Sequence, residues 1–202
     1  MLRLAVFVSG RGSNLKAILE HSELENLIKV VVVFSDKVEC GAFEIARKYG
    51  IETKVIGKGD NKISNKNLLD VLRNYNLDLI VLAGYLKLVP VEVVREFENR
   101  IINIHPALLP SFGGKGMYGM NVHTAVFNSS AKVSGATVHF VNAEYDKGKI
   151  IAQRCVDISD VKSAEEIAER VLKIEHQILP EVIKAFAEKR IIIQDNRVII
   201  KS

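Results

Sequence analysis

The first hundred residues alternate short β-rich apolar runs with stretches that repeat apolar residues at helical spacing, and few folds accept that pattern. The runs are Leu2 to Val8, Ile28 to Phe34, the weaker Thr53 to Ile56, Leu79 to Leu82 and Ile101 to His105. Between them, Ser13 to His21, Ala42 to Tyr49 and Asn65 to Tyr75 read as amphipathic helices. Strands that are apolar throughout, rather than alternating, are buried on both faces, so the pattern predicts βαβ units and a mostly parallel, Rossmann-like sheet with helices on both sides. Ligands of such sheets bind outside the carboxyl ends of the strands, which directs attention to the residues that end each run.

The last of these runs, Ile101-Ile102-Asn103-Ile104-His105-Pro106, carries two polar side chains two residues apart. Alternation along a strand sends Asn103 and His105 to one face and Ile102 and Ile104 to the other. Burying an amide and an imidazole is costly unless each finds a partner. Loop backbone at the strand end would satisfy them in the ordinary way. They could equally donate hydrogen bonds together to one developing oxyanion, the arrangement that chemistry at a carbonyl carbon requires.

Two further segments carry candidate chemistry. Ser9-Gly10-Arg11-Gly12-Ser13-Asn14-Leu15 leads from the first strand into the first helix and offers backbone amides, glycines for close approach and two side-chain donors to an anion. Leu15 stands where the dinucleotide fingerprint has its third glycine, and there is no P-loop lysine, so a phosphate monoester suits the loop better than a dinucleotide. A tight turn with a Ser or Asn helix cap is the ordinary alternative. Tyr145-Asp146-Lys147-Gly148 reads as a turn between two late strands. If Asp146 reaches His105, its carboxylate would fix the imidazole tautomer, raise its pKa and open a route for protons. Of the other histidines, His139 lies within the apolar run Ala136 to Val141 and suits a supporting or core role; His21 and His123 need no chemical role, and a solvated face is expected for Glu175 and His176.

The second half is less regular. A glycine-rich loop from Gly113 to Gly119 precedes a helix from about Asn121 to Asn128, and then come antiparallel strands Val133 to Val141 and Lys149 to Ile158. Ser163-Ala164-Glu165-Glu166 is a capping box and starts a helix expected to reach Gln177, with Pro180 opening or kinking a second segment that ends near Lys189. Arg190 to Lys201, with Asp195-Asn196 between two apolar runs, reads as a hairpin. With 48% hydrophobic and 26% charged residues, the composition is that of a globular chain rather than a disordered one. The net charge of +4 is spread along the chain, favouring anionic small molecules over nucleic acid. Two cysteines without metal-ligand spacing imply neither a disulfide framework nor a metal site. No apolar run has the length of a membrane span, so a cytoplasmic setting without membrane association is expected.

Taken together, Ser9 to Asn14, the run Asn103-Ile104-His105-Pro106-Ala107-Leu108-Leu109-Pro110-Ser111-Phe112, Thr137-Val138-His139-Phe140-Val141 and Asp146-Lys147-Gly148 resemble the phosphoribosylglycinamide formyltransferases, over essentially the whole chain. The resemblance implies an α/β formyltransferase fold forming a single domain over residues 1–202, with a nucleotide- and phosphate-binding half (1–100), a catalytic and folate-loop half (101–202), and an antiparallel C-terminal part. It implies transfer of a formyl group from 10-formyltetrahydrofolate to the amine of glycinamide ribonucleotide through a tetrahedral intermediate. Asn103 and protonated His105 would stabilise the oxyanion, with Asp146 holding His105 and helping to move the proton. Gly12, Ser13 and Asn14 would take the phosphate, and Pro106 and Glu175 the rest of the nucleotide. The folate pocket would use Leu82, Tyr85, Leu86, Lys87 and Val89, with Phe140, Val141, Asn142, Ala143, Glu144 and Tyr145. The resemblance implies no metal and leaves room for a homodimer. Two positions depart from the family pattern: the Gly113 to Val122 loop is longer than in many members, and Lys149 stands where proline usually follows the Asp-x-Gly motif. A formyltetrahydrofolate hydrolase and a non-catalytic phosphate-ligand module are the rival readings.

Overall fold

The computed structural model describes residues 1–201, which divide into two compact units, 1–103 and 104–201. The first unit holds β1 (Leu2–Val8), α1 (Ser13–Leu19), β2 (Ile28–Ser35), α2 (Gly41–Lys48), β3 (Glu52–Val55), α3 (Asn65–Arg73), β4 (Leu79–Leu82), α4 (Val91–Glu96) and most of β5 (Ile101–His105). It contributes β3-β2-β1-β4-β5 to a seven-stranded sheet, and its strand pairs are all parallel. The expected βαβ alternation is therefore present, with element ends within two residues of their expected places. The short helix α4 was not legible, because Val91-Glu92-Val93-Val94 is β-branched and gives no clear helical period; Pro90 before it sets the first turn and only Val93 is buried.

Burial explains why the strands are apolar throughout. Leu4, Val6, Phe7, Val32, Phe34, Ile80 and Val81 are fully enclosed, and the Phe7 and Phe34 rings lie 4.9 Å apart at the centre. Each such side chain contributes about 1.5–3 kcal/mol on burial. In the order β3-β2-β1-β4-β5 the chain moves outward on one side of β1 and then crosses to β4 on the other, so the topological switch point lies between the carboxyl ends of β1 and β4.

The second unit holds the end of β5, α5 (Met120–Asn128), β6 (Val133–Phe140), β7 (Ile150–Asp157), α6 (Ala164–Ala187) and the hairpin β8 (Ile191–Gln194) and β9 (Arg197–Ile200). It contributes β6-β7 to the seven-stranded sheet as an antiparallel pair, and β8-β9 form a separate antiparallel ribbon. The Ser163 hydroxyl accepts from the Glu166 amide at the start of α6, and the Glu166 carboxylate accepts from the Lys162 amide.

Contrary to the sequence expectation, α6 runs unbroken through Pro180 for 24 residues. Proline removes the amide that would pair with the carbonyl four residues back, a cost of about 3 kcal/mol. Ile167, Val171, Ile178, Leu179, Val182 and Ile183 lie buried along one face of α6 on both sides of that point, and their combined burial outweighs it.

Candidate active site

In the second unit the structure brings three expected side chains together. His105, at the end of β5, is 3% exposed, and its Nδ1 lies 3.7 Å from Asp146 Oδ2. His139, on β6, is 2% exposed and turns Nε2 toward the other carboxylate oxygen at 3.6 Å. The far nitrogens face backbone carbonyls: His105 Nε2 donates to Phe112 O at 2.9 Å and His139 Nδ1 to Phe140 O at 2.7 Å. A carbonyl only accepts, so Nε2 of His105 carries a hydrogen. The Asp146 carboxylate also accepts from the Gly114 amide at 2.8 Å. This holds the first residues of the glycine-rich loop.

Local backbone conformation makes the cluster possible. Asp146 has φ 55°, a left-handed conformation that aspartate tolerates better than most residues. Two residues on, Gly148 packs so closely that a Cβ would run into the Phe140 carbonyl oxygen. The turn thus folds back against the end of β6, from which His139 projects.

Electrostatics assigns the protons. Burial pushes His105 below the ordinary imidazole pKa, and the opposing pull of Asp146 and the Phe112 carbonyl does not restore it. The expected rise in the His105 pKa is therefore not found, because the ring is almost wholly desolvated and its carboxylate lies beyond hydrogen-bond length. Burial acts to raise the Asp146 pKa, yet the His139 ring, the Gly114 amide and His105 together hold it below the usual carboxylate range. A neutral ring with its hydrogen on Nε2 points the Nδ1 lone pair at an ionised carboxylate, and 3.7 Å fits that pairing better than a hydrogen bond. Nδ1 and Oδ2 thus face one another as two acceptors, each held below its ordinary pKa.

Other candidates lie close by in the second unit. Pro106, half-buried, follows His105 directly; Phe140 is buried with its ring edge-on to Phe186, and Val141 to Tyr145 form the exposed or half-buried start of the turn, where Asn142 caps the Glu144 amide. Glu175 is only 8% exposed, which corrects the expectation of a solvated face. His123 is also buried, with Nδ1 unpartnered, and burial above all, then the nearby His105 imidazole when protonated, lowers its pKa. No sequence signal marked it, since one histidine in the first turn of a helix resembles many solvated ones.

In the first unit, Asn103 is half-buried on β5. Gly12 has φ 82° and a Cβ there would meet Ala42 of α2 at 2.7 Å, so both conformation and packing require glycine. Ser13 and Asn14 open α1, half-buried and buried respectively. Leu82, Tyr85, Leu86, Lys87 and Val89 end β4 and form the loop after it; Leu82 and Val89 are buried, Leu86 and Lys87 exposed, and Tyr85 lies edge-on to Phe7 at 5.3 Å. Ser9, which opens the expected anion loop, and Asp36, which the sequence reading did not single out, connect these loops. Small polar residues directly after β1 and β2 were the only available sign.

An α/β protein with a buried imidazole–carboxylate cluster at a strand end has the side chains that acid–base chemistry on small molecules uses. Comparison with known proteins makes this specific. The family described as formyl transferase matches residues 2–183, and the chain belongs to that family. It is 50% identical over 194 residues to "Phosphoribosylglycinamide formyltransferase, chloroplastic" of Vigna unguiculata, covering 94% of this chain and 62% of the relative. It is 34% identical over 200 residues to phosphoribosylglycinamide formyltransferase of Haemophilus influenzae, covering 97% and 92%. The chain spans less than two thirds of the length of the plant relatives. The crystal structure of glycinamide ribonucleotide transformylase 1 from Symbiobacterium toebii matches with a TM-score of 0.89 at 37% identity, covering 100% of this chain and 95% of that one. Among the described residues no helix is long and apolar enough to cross a membrane.

Proposed function

We propose that this chain transfers the formyl group of 10-formyltetrahydrofolate to the primary amine of glycinamide ribonucleotide, a step of purine biosynthesis, as a single formyltransferase domain over residues 1–202. The observation that carries the reading is the His105–Asp146–His139 cluster: a buried base pair directly after a strand end, held by two backbone carbonyls and one amide. The names of the relatives support formyl transfer and the glycinamide ribonucleotide acceptor.

The chemistry follows from the proton inventory. The amine attacks the formyl carbon, the carbonyl electrons move to oxygen, and a tetrahedral intermediate forms. The proton shed by the attacking nitrogen goes to the His105–Asp146 pair, where Nδ1 and Oδ2 face one another as acceptors. Once charged, His105 and the Asn103 amide stabilise the oxyanion. Collapse breaks the bond from carbon to folate N10, and that nitrogen receives the proton, giving formylated nucleotide and tetrahydrofolate. Because Nε2 already donates to the Phe112 carbonyl, donation from that nitrogen to a substrate oxygen requires the carbonyl to give way.

Gly12, Ser13 and Asn14 are assigned to the nucleotide phosphate, with Pro106 and Glu175 on the nucleotide. Leu82, Tyr85, Leu86, Lys87 and Val89, with Phe140 to Tyr145, are assigned to the folate. The setting is cytoplasmic, and a second copy of the chain is the expected partner where there is one. The deciding experiment supplies 10-formyltetrahydrofolate with glycinamide ribonucleotide, and separately with water alone, while deformylation is followed. Nucleotide-dependent deformylation is expected. Rapid loss without nucleotide would make the chain a hydrolase, and no loss in either arm would make it a binding protein.

A further inference from the structure

We infer that Ser9 and Asp36 are positioning residues for the loop that follows β4, fixing Tyr85 and Leu86 at the ligand-binding end of the first unit's sheet. Ser9 is the first residue after β1 and Asp36 the first after β2, and neither belongs to the cluster around His105. Ser9 is 2% exposed, and both its amide and its hydroxyl are used. Its amide donates to the Gly84 carbonyl at 3.0 Å, its hydroxyl donates to Asp36 Oδ1, and its Oγ accepts from the Leu86 amide at 3.0 Å.

Direction matters more than number here. A hydroxyl has one hydrogen and rotates freely until something claims it. Asp36 claims it, which leaves a lone pair of Oγ aimed at the Leu86 amide. Asp36 thus acts on the loop through Ser9, linking the strand on one side of β1 to the loop beyond its other side. The switch point between β1 and β4 is where a sheet of this order opens a crevice, and this loop forms its β4 side. Gly84, at φ 81°, lets the chain turn sharply there. Tyr85 packs on Phe7 and Val89 is buried, but Leu86 and Leu88 remain 38% and 47% exposed, so little packing of their own holds these two. An exposed apolar loop pinned at its base by one buried hydroxyl presents a fixed surface to the flat, apolar part of a ligand. Set on the formyl-transfer reading, that ligand is the ring system of the formyl folate.

The test combines amide hydrogen exchange with initial rates for Ser9→Ala, Asp36→Ala and Asp36→Asn. Exchange at the Leu86 amide is expected to rise about five- to tenfold in Ser9→Ala, the scale of one lost hydrogen bond, and less in Asp36→Ala. KM for 10-formyltetrahydrofolate should rise by a similar factor in both, with kcat and KM for glycinamide ribonucleotide little changed. Asp36→Asn keeps an oxygen acceptor and should restore both readouts. Unchanged Leu86 exchange in a folded Ser9→Ala, or in Asp36→Ala should Ser9→Ala not fold, would overturn the inference; so would a KM change confined to the nucleotide. A wild-type chain that transfers no formyl group would defeat the formyl-transfer reading instead, and Leu86 exchange would then decide the positioning role by itself.

Discussion

His105 meets Asp146 through Nδ1 at 3.7 Å while Nε2 donates to a backbone carbonyl, so the ring is held at its far side and left incomplete at its near side. In the formyl-transfer proposal the pair takes up a proton before His105 serves as an oxyanion donor. That geometry also separates the role of Asp146 from that of His105, and the two can be tested apart.

Asp146→Asn keeps the size of the side chain, an oxygen to accept from the Gly114 amide and the tolerance for φ 55°, but loses the charge. We expect turnover to fall by about two orders of magnitude, the usual scale for general acid–base groups. KM for glycinamide ribonucleotide should change far less. Steady-state kinetics with a circular dichroism check of folding would measure both. Near-normal turnover in the folded variant would remove Asp146 from the proton route.

His105→Ala and Asn103→Ala should each lower kcat by about two to three orders of magnitude, as loss of an oxyanion donor does. If both side chains serve the same oxyanion, the double variant will lose less than the product of the two single effects. Strict multiplication of the effects would assign them to separate steps.

Much of this architecture is legible in the chain itself. The parallel strands are legible because burial on both faces makes them uniformly apolar, and the Asn103–His105 pair because two polar residues interrupt such a run. What the sequence hides is three-dimensional compensation. Glu175 reads as a surface residue and His123 as one without a role, since helical spacing gives a face but not the neighbour that covers it. Pro180 reads as a break because local rules do not weigh the long buried face of α6. Ser9 and Asp36 each look like turn residues, and their connection to Leu86 exists only once β1, β2 and β4 lie side by side. The Phe112 carbonyl leaves no sequence signal, since every residue has one.

Acid should weaken the fold through imidazoles that folding desolvates, His105 and His123 buried and His176 half-buried. His105, His123 and His176 all have pKa values lowered from 6.5, with burial the first cause in each. The unfolded chain therefore binds protons at these positions before the folded chain does, and stability is lost as pH falls through the unfolded value toward the lowered folded ones. Asp146 behaves differently: its stabilising contribution is present above the ordinary value of 3.8 and is lost only below it. We expect Tm to decline as pH is lowered from about 7 to about 5, and His123→Gln to flatten that decline while leaving the part below pH 3.8 in place. Thermal unfolding across pH reads this directly. A Tm that is level over the upper range would mean that these histidines stay solvated in the folded state.

Two glycines beside the cluster should respond oppositely to the same substitution. At Gly148 an added Cβ would run into the Phe140 carbonyl oxygen and crowd the backbone around it, and neither group can move without shifting the end of β6. At Gly113 the first obstacle is the tip of the Leu109 side chain, which can rotate aside, with Asp146 Cβ at 3.2 Å behind it. Gly148→Ala should cost about 1–3 kcal/mol or more, the range for overpacking, and because the displaced turn carries Asp146 it should also lower kcat. Gly113→Ala should cost less than about 1 kcal/mol and leave the Asp146 turn intact. Denaturant unfolding paired with kcat measures both effects. If the two substitutions proved equally mild, the close contact of Gly148 with β6 would not be what positions Asp146.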